Sequence, residues 1–206
     1  MASSVTDSWA RIDAWLRINE LPAKFLPPPG LPEATIRAAE AAMGLELPED
    51  VRESYRVHDG SRRGSYLVLF ERGYLLPLEA SPDDESVVES RKSMCEIAEQ
   101  LASEYGDIAG EVAAPIRKTF WSPRWVPLTC DWESHAVCID SDPAEGGRVG
   151  QVIMRRREAD AWVLAPSWGE WLAKYAADLE AGEYRLRVWP DSDWVASVFR
   201  ASEPDE

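Results

Sequence analysis

The sequence predicts an α+β domain, with a central, mainly antiparallel sheet flanked by helices. Three observations lead there. Apolar residues recur at helical spacing over residues 9–57, and again after Pro82 and after Ser167. Short apolar runs bounded by turn residues occupy 66–78 and 125–165. The two textures are segregated, not alternating unit by unit as a parallel βαβ sheet requires. A chain of 206 residues with 45% hydrophobic residues can hide enough surface to form a single domain with a real core.

Each element follows from local chemistry. Trp9, Ile12, Trp15 and Leu16 share one face of a first helix, with Thr6 as its expected N-cap. Pro27-Pro28-Pro29-Gly30 is a stiff elbow inside the domain, because the first helix is too short to stand alone. Pro32 and Glu33 open a second helix with Ile36, Ala39, Ala42 and Met43 on its apolar face and Gly44 as C-cap. Pro48 opens a third, with Glu49 and Asp50 in its first turn and Val51, Tyr55 and Val57 inward. His58-Asp59-Gly60 ends it. Tyr66–Phe70 and Tyr74–Leu78 form a hairpin. Ser81-Pro82-Asp83-Asp84 starts a long, mostly polar helix that runs to about Glu104. Four strands, near 125–129, 136–140, 151–155 and 162–165, form an antiparallel meander. Ser167 caps a last helix with Trp168, Trp171, Leu172, Tyr175 and Leu179 inward, stopped by Gly182. The domain is expected to span 1–184, and 185–206 to be an extension that packs back in part and then frays.

Charge is the most selective global property. With 22 Lys+Arg against 37 Asp+Glu, the net charge is −15. Such a surface is repelled by nucleic acid and by anionic membranes and attracted to basic partners. The densest acidic region runs from Asp83 to Glu111, with nine acidic and two basic residues. Three cysteines form no disulfide framework, and no leader or membrane-spanning run is evident. These features point to a cytoplasmic protein. Of the ten Trp, Trp9, Trp15, Trp162, Trp168 and Trp171 fall on apolar faces and are expected in the core. Trp121, Trp125 and Trp132 lie in Pro- or charge-rich stretches and are expected to be partly exposed.

Motifs for catalysis are weak throughout. His58 and His135 are the only histidines, and His58-Asp59-Gly60-Ser61 reads as a helix end and turn, not a triad. Cys130, His135 and Cys138 lack zinc spacing. Asp140 to Glu145 fails the calcium-loop pattern, and Gly146-Gly147-Arg148-Val149-Gly150 precedes a strand where a phosphate loop precedes a helix. Arg155-Arg156-Arg157 reads as a solvated strand end. The expectation is therefore a non-enzyme that uses no cofactor and no metal. Its candidate partner-binding residues are Asp131, Trp132, Glu133, Asp140, Asp142 and Glu145 on loops, with Asp83, Asp84, Glu85 and Glu89 on the acidic helix.

An ordered series of motifs resembles one family. It comprises Trp9-x-x-Ile12-x-x-Trp15-Leu16, Leu45-x-Leu47-Pro48-Glu49-Asp50-Val51-Arg52-x-Ser54-Tyr55-x-x-His58-Asp59-Gly60 and Leu75-Leu76-Pro77-Leu78. Trp125-Val126-Pro127-Leu128-Thr129, Cys138-Ile139-Asp140-x-Asp142-Pro143-x-x-Gly146-Gly147-x-x-Gly150-Gln151-Val152-Ile153 and Trp171-Leu172 complete it. The series resembles the SUKH superfamily, the Smi/Knr-type domain. The resemblance implies an α+β fold without catalytic residues. For bacterial members it implies immunity proteins that bind and neutralise a cognate toxin. For fungal members it implies regulators of cell-wall synthesis and signalling. The preference for Arg over Lys and the abundance of Ala suggest a GC-rich bacterial source. The leading expectation is thus an immunity protein that covers the basic cleft of a toxin, such as a nuclease, with an acidic surface. The alternative is a housekeeping scaffold or regulator of cell-wall or stress signalling.

Overall fold

The computed structural model describes residues 4–61, 64–70, 73–78, 85–105, 110–131, 135–156, 159–189 and 195–202. Helix α1 (Val5–Ile18) begins two residues earlier than expected, because its cap is Ser4, not Thr6. Ser4 Oγ accepts from the Asp7 amide at 3.0 Å while the Asp7 carboxylate accepts from the Ser4 amide, a capping box. Thr6 instead donates through its amide and hydroxyl to Glu53. Helices α2 (Glu33–Met43) and α3 (Glu49–Val57) start after Pro32 and Pro48, and α2 ends on left-handed Gly44. They are tied together by Arg52 and Arg56 of α3, which converge on Glu33. The Arg56 hydrogen bond above all holds the Glu33 carboxyl below the usual carboxylate range.

The proline elbow crosses the end of α3 at backbone contact. Leu31 N–H donates to Tyr55 O at 2.8 Å, and a Cβ on Gly30 would stand 2.1 Å from Arg56 O. His58 fastens the junction: Nδ1 lies 3.0 Å from Pro28 O and Nε2 3.2 Å from Asp13 Oδ2. The histidine is thereby spent on joining α1, the elbow and α3.

Two sheets follow. Strands β1 (Tyr66–Phe70) and β2 (Gly73–Leu75) form the expected hairpin, and α4 (Val87–Tyr105) follows them. The run near 125–129 is divided between the sheets. β3 (Trp125–Pro127) pairs with β5 (Ala136–Asp140), whereas β4 (Thr129–Cys130) pairs with β2. β5, β6 (Gln151–Arg155) and β7 (Ala161–Ala165) complete the antiparallel meander, in order β3-β5-β6-β7. Helix α5 (Trp168–Glu180) is capped by Ser167 as expected. Its Gly169 amide also donates to Asp50 of α3 at 2.9 Å.

The segment after residue 184 supplies β8 (Tyr184–Val188) and β9 (Val195–Arg200). β9 pairs antiparallel with β8 and parallel with β1, giving a five-stranded sheet in order β4-β2-β1-β9-β8. Ala196 and Val198 are buried in the main core. The tail therefore supplies an interior strand of the sheet. Residues 203–206 lie outside the described set.

Both faces of the meander are covered. Val137, Ile139, Val152 and Met154 face the main core, with α1, α5 and the aromatic residues around Phe70. Trp125, Cys138, Ile153 and Ala161 face a second apolar cluster, closed by Ile116, Trp121 and the half-buried Met94, Cys95 and Ala98 of α4. The period of two along a strand sends alternate residues to the two clusters.

Candidate functional site

The second cluster decides the fate of several residues with expected roles. Trp121 and Trp125, expected to be partly exposed, are 4% and 0% exposed, because segment 110–124 and α4 lie across that face of the meander. Arg155, expected at a solvated strand end, is 2% exposed. Its strand parity points it inward, with its guanidinium 4.7 Å from the Phe120 ring centroid and 5.8 Å from that of Trp121. Arg156 does lie at the surface, over Trp162.

Among the loop carboxylates, Asp140 is fully buried. Its Oδ1 accepts from the Asp142 amide at 3.1 Å, its Oδ2 from Gln151 Nε2 at 3.0 Å, and its carbonyl from the Gly150 amide at 2.8 Å. Asp140 therefore shapes the Ser141–Gly150 turn and has no surface to offer a partner. Asp131, whose side chain is 8% exposed, closes the β4–β5 connection: it accepts from the His135 amide and binds His135 Nδ1, both at 2.8 Å. Asp142 and Glu145 remain accessible on the turn and Glu89 in the first turn of α4, while Glu85, expected on the helix, is exposed just before it, because α4 begins at Val87. Trp132, Glu133, Asp83 and Asp84 lie outside the described residues.

Burial pushes the Asp140 carboxyl above the ordinary aspartate range, against the pull of its hydrogen bonds. Between the ordinary and the raised value, the native state holds more protons than the unfolded state. Stability from this group therefore falls as pH rises through that window, and the cost is complete above it. Asp140→Asn is expected to lower stability at low pH by about 1 kcal/mol through one lost acceptor. The deficit should shrink or reverse toward neutrality. Urea unfolding of both proteins from acid to neutral pH checks this, and parallel curves would refute it.

The thiols and the second histidine form no reactive set. Burial pushes the Cys130 thiol up to about 12, and fully buried Cys138 higher still. Among the described residues, no group of three or more His, Cys, Asp and Glu is placed to hold a metal ion.

The turn that Asp140 shapes instead builds one wall of an open groove of about 590 Å³. Ile116 and Trp121 line it on the apolar side, and Arg117, Lys118, Arg124 and Asp142 on the polar side. Arg117 grips Asp142 with two guanidinium nitrogens, both at 3.0 Å. The walls are joined through backbone: Ala144 N–H donates to Pro115 O at 2.9 Å and Ser141 N–H to Arg124 O at 3.1 Å. Arg91 of α4 supports the far side, donating to Pro123 O and to Met43 O at the end of α2. In the sequence these cations form no motif and are outweighed by the net acidity of the chain. The available signal was that residues 112–130, the longest carboxylate-free interval in the chain, hold three cations within 117–124.

Comparison with known proteins fits this architecture. The model of the SMI1 / KNR4 family (SUKH-1) matches residues 30–174, a span that includes the groove. The "Cell wall biosynthesis/cell cycle regulator smi1" of Schizosaccharomyces pombe is 30% identical over 186 residues, 87% of this chain and 37% of that protein. The "Glucan synthesis regulatory protein" of Neurospora crassa is 26% identical over 209 residues, 87% of this chain and 39% of that protein. The "Cell wall assembly regulator SMI1" of Saccharomyces cerevisiae is 25% identical over 209 residues, 87% of this chain and 41% of that protein. The chain thus spans about two fifths of the length of these relatives, which are named as regulators and not as enzymes. The family-model match over most of the chain, together with the α+β architecture and the ordered motifs, shows that this chain belongs to the SMI1/KNR4 (SUKH-1) family.

Proposed function

We propose that this chain is a non-catalytic protein-interaction module of a cell-wall regulator, and that it works by docking onto other proteins. The observation that carries the reading is the match of 87% of the chain to a fission-yeast protein named as a cell-wall and cell-cycle regulator. The toxin-neutralising role and bacterial source expected from the sequence gain no support from these relatives, which are fungal. The burial of Asp140 and Asp131 also removes two carboxylates from the acidic face that such a role needs. No helix among the described residues is long and apolar enough to cross a membrane.

A chimera tests the reading. In the fission-yeast relative, the segment matched here is replaced by this chain, and cell-wall glucan content is compared with that of cells carrying the native protein or the protein without the segment. The chimera is expected to restore the native glucan content. A chimera present at native abundance but no better than the segment deletion would overturn the reading.

A further inference from the structure

We propose that the groove between Arg117, Lys118 and Arg124 is the docking site for a carboxylate-bearing segment of a partner protein. This rests on the reading of the chain as an interaction module. It reverses the polarity that net charge suggests: the site on this acidic protein takes an acidic ligand.

Charge placement is the first support. Lys118 and Arg124 are exposed, and neither has a carboxylate within ion-pair distance among the described residues. Arg117 is held in position by Asp142 while its side chain stays 54% exposed. The groove lining therefore carries three cations against one carboxylate, in a chain of net −15. Cations also stand behind it, Arg155 beside the Trp121 ring and Arg91 at Pro123. The Debye length of about 8 Å at physiological salt screens the remote carboxylates, so a ligand within the groove feels the local cations first.

The lining is the second support. Trp121, 4% exposed, reaches the groove only by the edge its packing leaves open, and its buried Nε1–H has no acceptor among the described residues. A narrow apolar edge rimmed by exposed guanidinium and ammonium groups suits an extended segment that places its carboxylates on that rim. The volume of about 590 Å³ lies within the range of sites that enclose small ligands or a few side chains. The backbone bonds that join the walls leave the groove formed before binding, which lowers the ordering cost. A nucleic acid would extend past these few cations onto the negative surface, so a short acidic peptide is the better match.

The test uses the full chain and three fluorescein-labelled probes: a glutamate decapeptide, a lysine decapeptide and a thymidine decamer. Fluorescence anisotropy is expected to show binding of the glutamate peptide that weakens as salt rises, none of the thymidine decamer, and binding of the lysine peptide to the acidic exterior that is insensitive to the groove. In K118E/R124E glutamate binding should weaken at least about tenfold. R37E/K174E makes the same net change on α2 and α5 and should retain most binding. No glutamate binding, tighter binding of the thymidine decamer, or equal loss of glutamate binding in both variants would overturn the proposal. The chimera separates the two readings. If the wild-type chimera restores glucan content and the K118E/R124E chimera does so equally, the groove proposal falls and the module reading stands. If the wild-type chimera fails, the module reading falls, and the peptide measurements still decide the groove.

Discussion

Alanine at position 60 is expected to destabilise the protein by more than about 4 kcal/mol, while alanine at position 44 costs only about 1–2 kcal/mol. Both glycines have positive φ, +68° at Gly60 and +65° at Gly44. Both substitutions therefore incur the left-handed penalty of an L-residue. They differ in surroundings. A Cβ on Gly44 would meet nothing within 4 Å, whereas one on Gly60 would lie 2.3 Å from Pro77 N and 2.6 Å from Pro77 Cα. Backbone cannot give way there cheaply. The Gly60 turn and residues 75–78 are laced together: Ser61 N–H donates to Leu75 O and Leu78 N–H to Asp59 Oδ1, both at 2.8 Å. Leu76 N–H continues the lacing to Leu128 O at 2.9 Å. Moving Pro77 thus strains the contact between the helical layer and both sheets. Denaturant unfolding of the two variants side by side is the measurement. Equal losses would mean that the close approach contributes nothing.

Phe70→Ala is expected to cost about 3–5 kcal/mol and to lower Tm by roughly 10–15 °C. Phe70 is fully buried at the end of β1 and meets four aromatic rings. Trp9 of α1 and Trp168 of α5 each lie at 5.8 Å between centroids, and Trp171 and Tyr175 each at 5.0 Å. Three of these contacts are edge-on, the favoured arrangement for ring quadrupoles. The neighbours cannot collapse into the space, because Trp9 Nε1 is held by Ser54 Oγ at 2.8 Å and Tyr175 by Leu69 O. Phe70→Leu, which retains most of the volume, should cost less than half as much. Calorimetry distinguishes these outcomes, and a loss under 1.5 kcal/mol for alanine would show that the aromatic cluster is not the keystone of the core.

Elements whose signal lies within one turn or one strand were legible. Gly44 ends α2 and Ser167 caps α5 because capping is local chemistry. The short apolar runs within Ala136–Asp140 and Gln151–Arg155, each bounded by turn residues, marked both as strands. A strand assignment alone leaves two outcomes for Arg155 and Trp125. A strand with one wet face exposes them, and a strand covered on both faces buries them. Nothing within β6 indicates that segment 110–124 and α4 lie over it. The carboxylates divided in the same manner: Asp142 and Asp140 are two residues apart and look alike in sequence, yet one is at the groove and the other is sealed beneath the turn.

By itself the sequence determined the class of the fold, the order of helices and strand runs as far as α5, and the family, because periodicity, capping and ordered motifs are properties of short segments. The tertiary structure alone decided that the tail enters the sheet beside β1, that the chain changes sheets at Leu128, and that Arg117 and Arg124 share a groove with Asp142. Burial and electrostatic sign at a surface depend on which distant segments come to lie together. A net charge of −15 is a sum over the whole chain, whereas a ligand within a Debye length responds to the few charges around it.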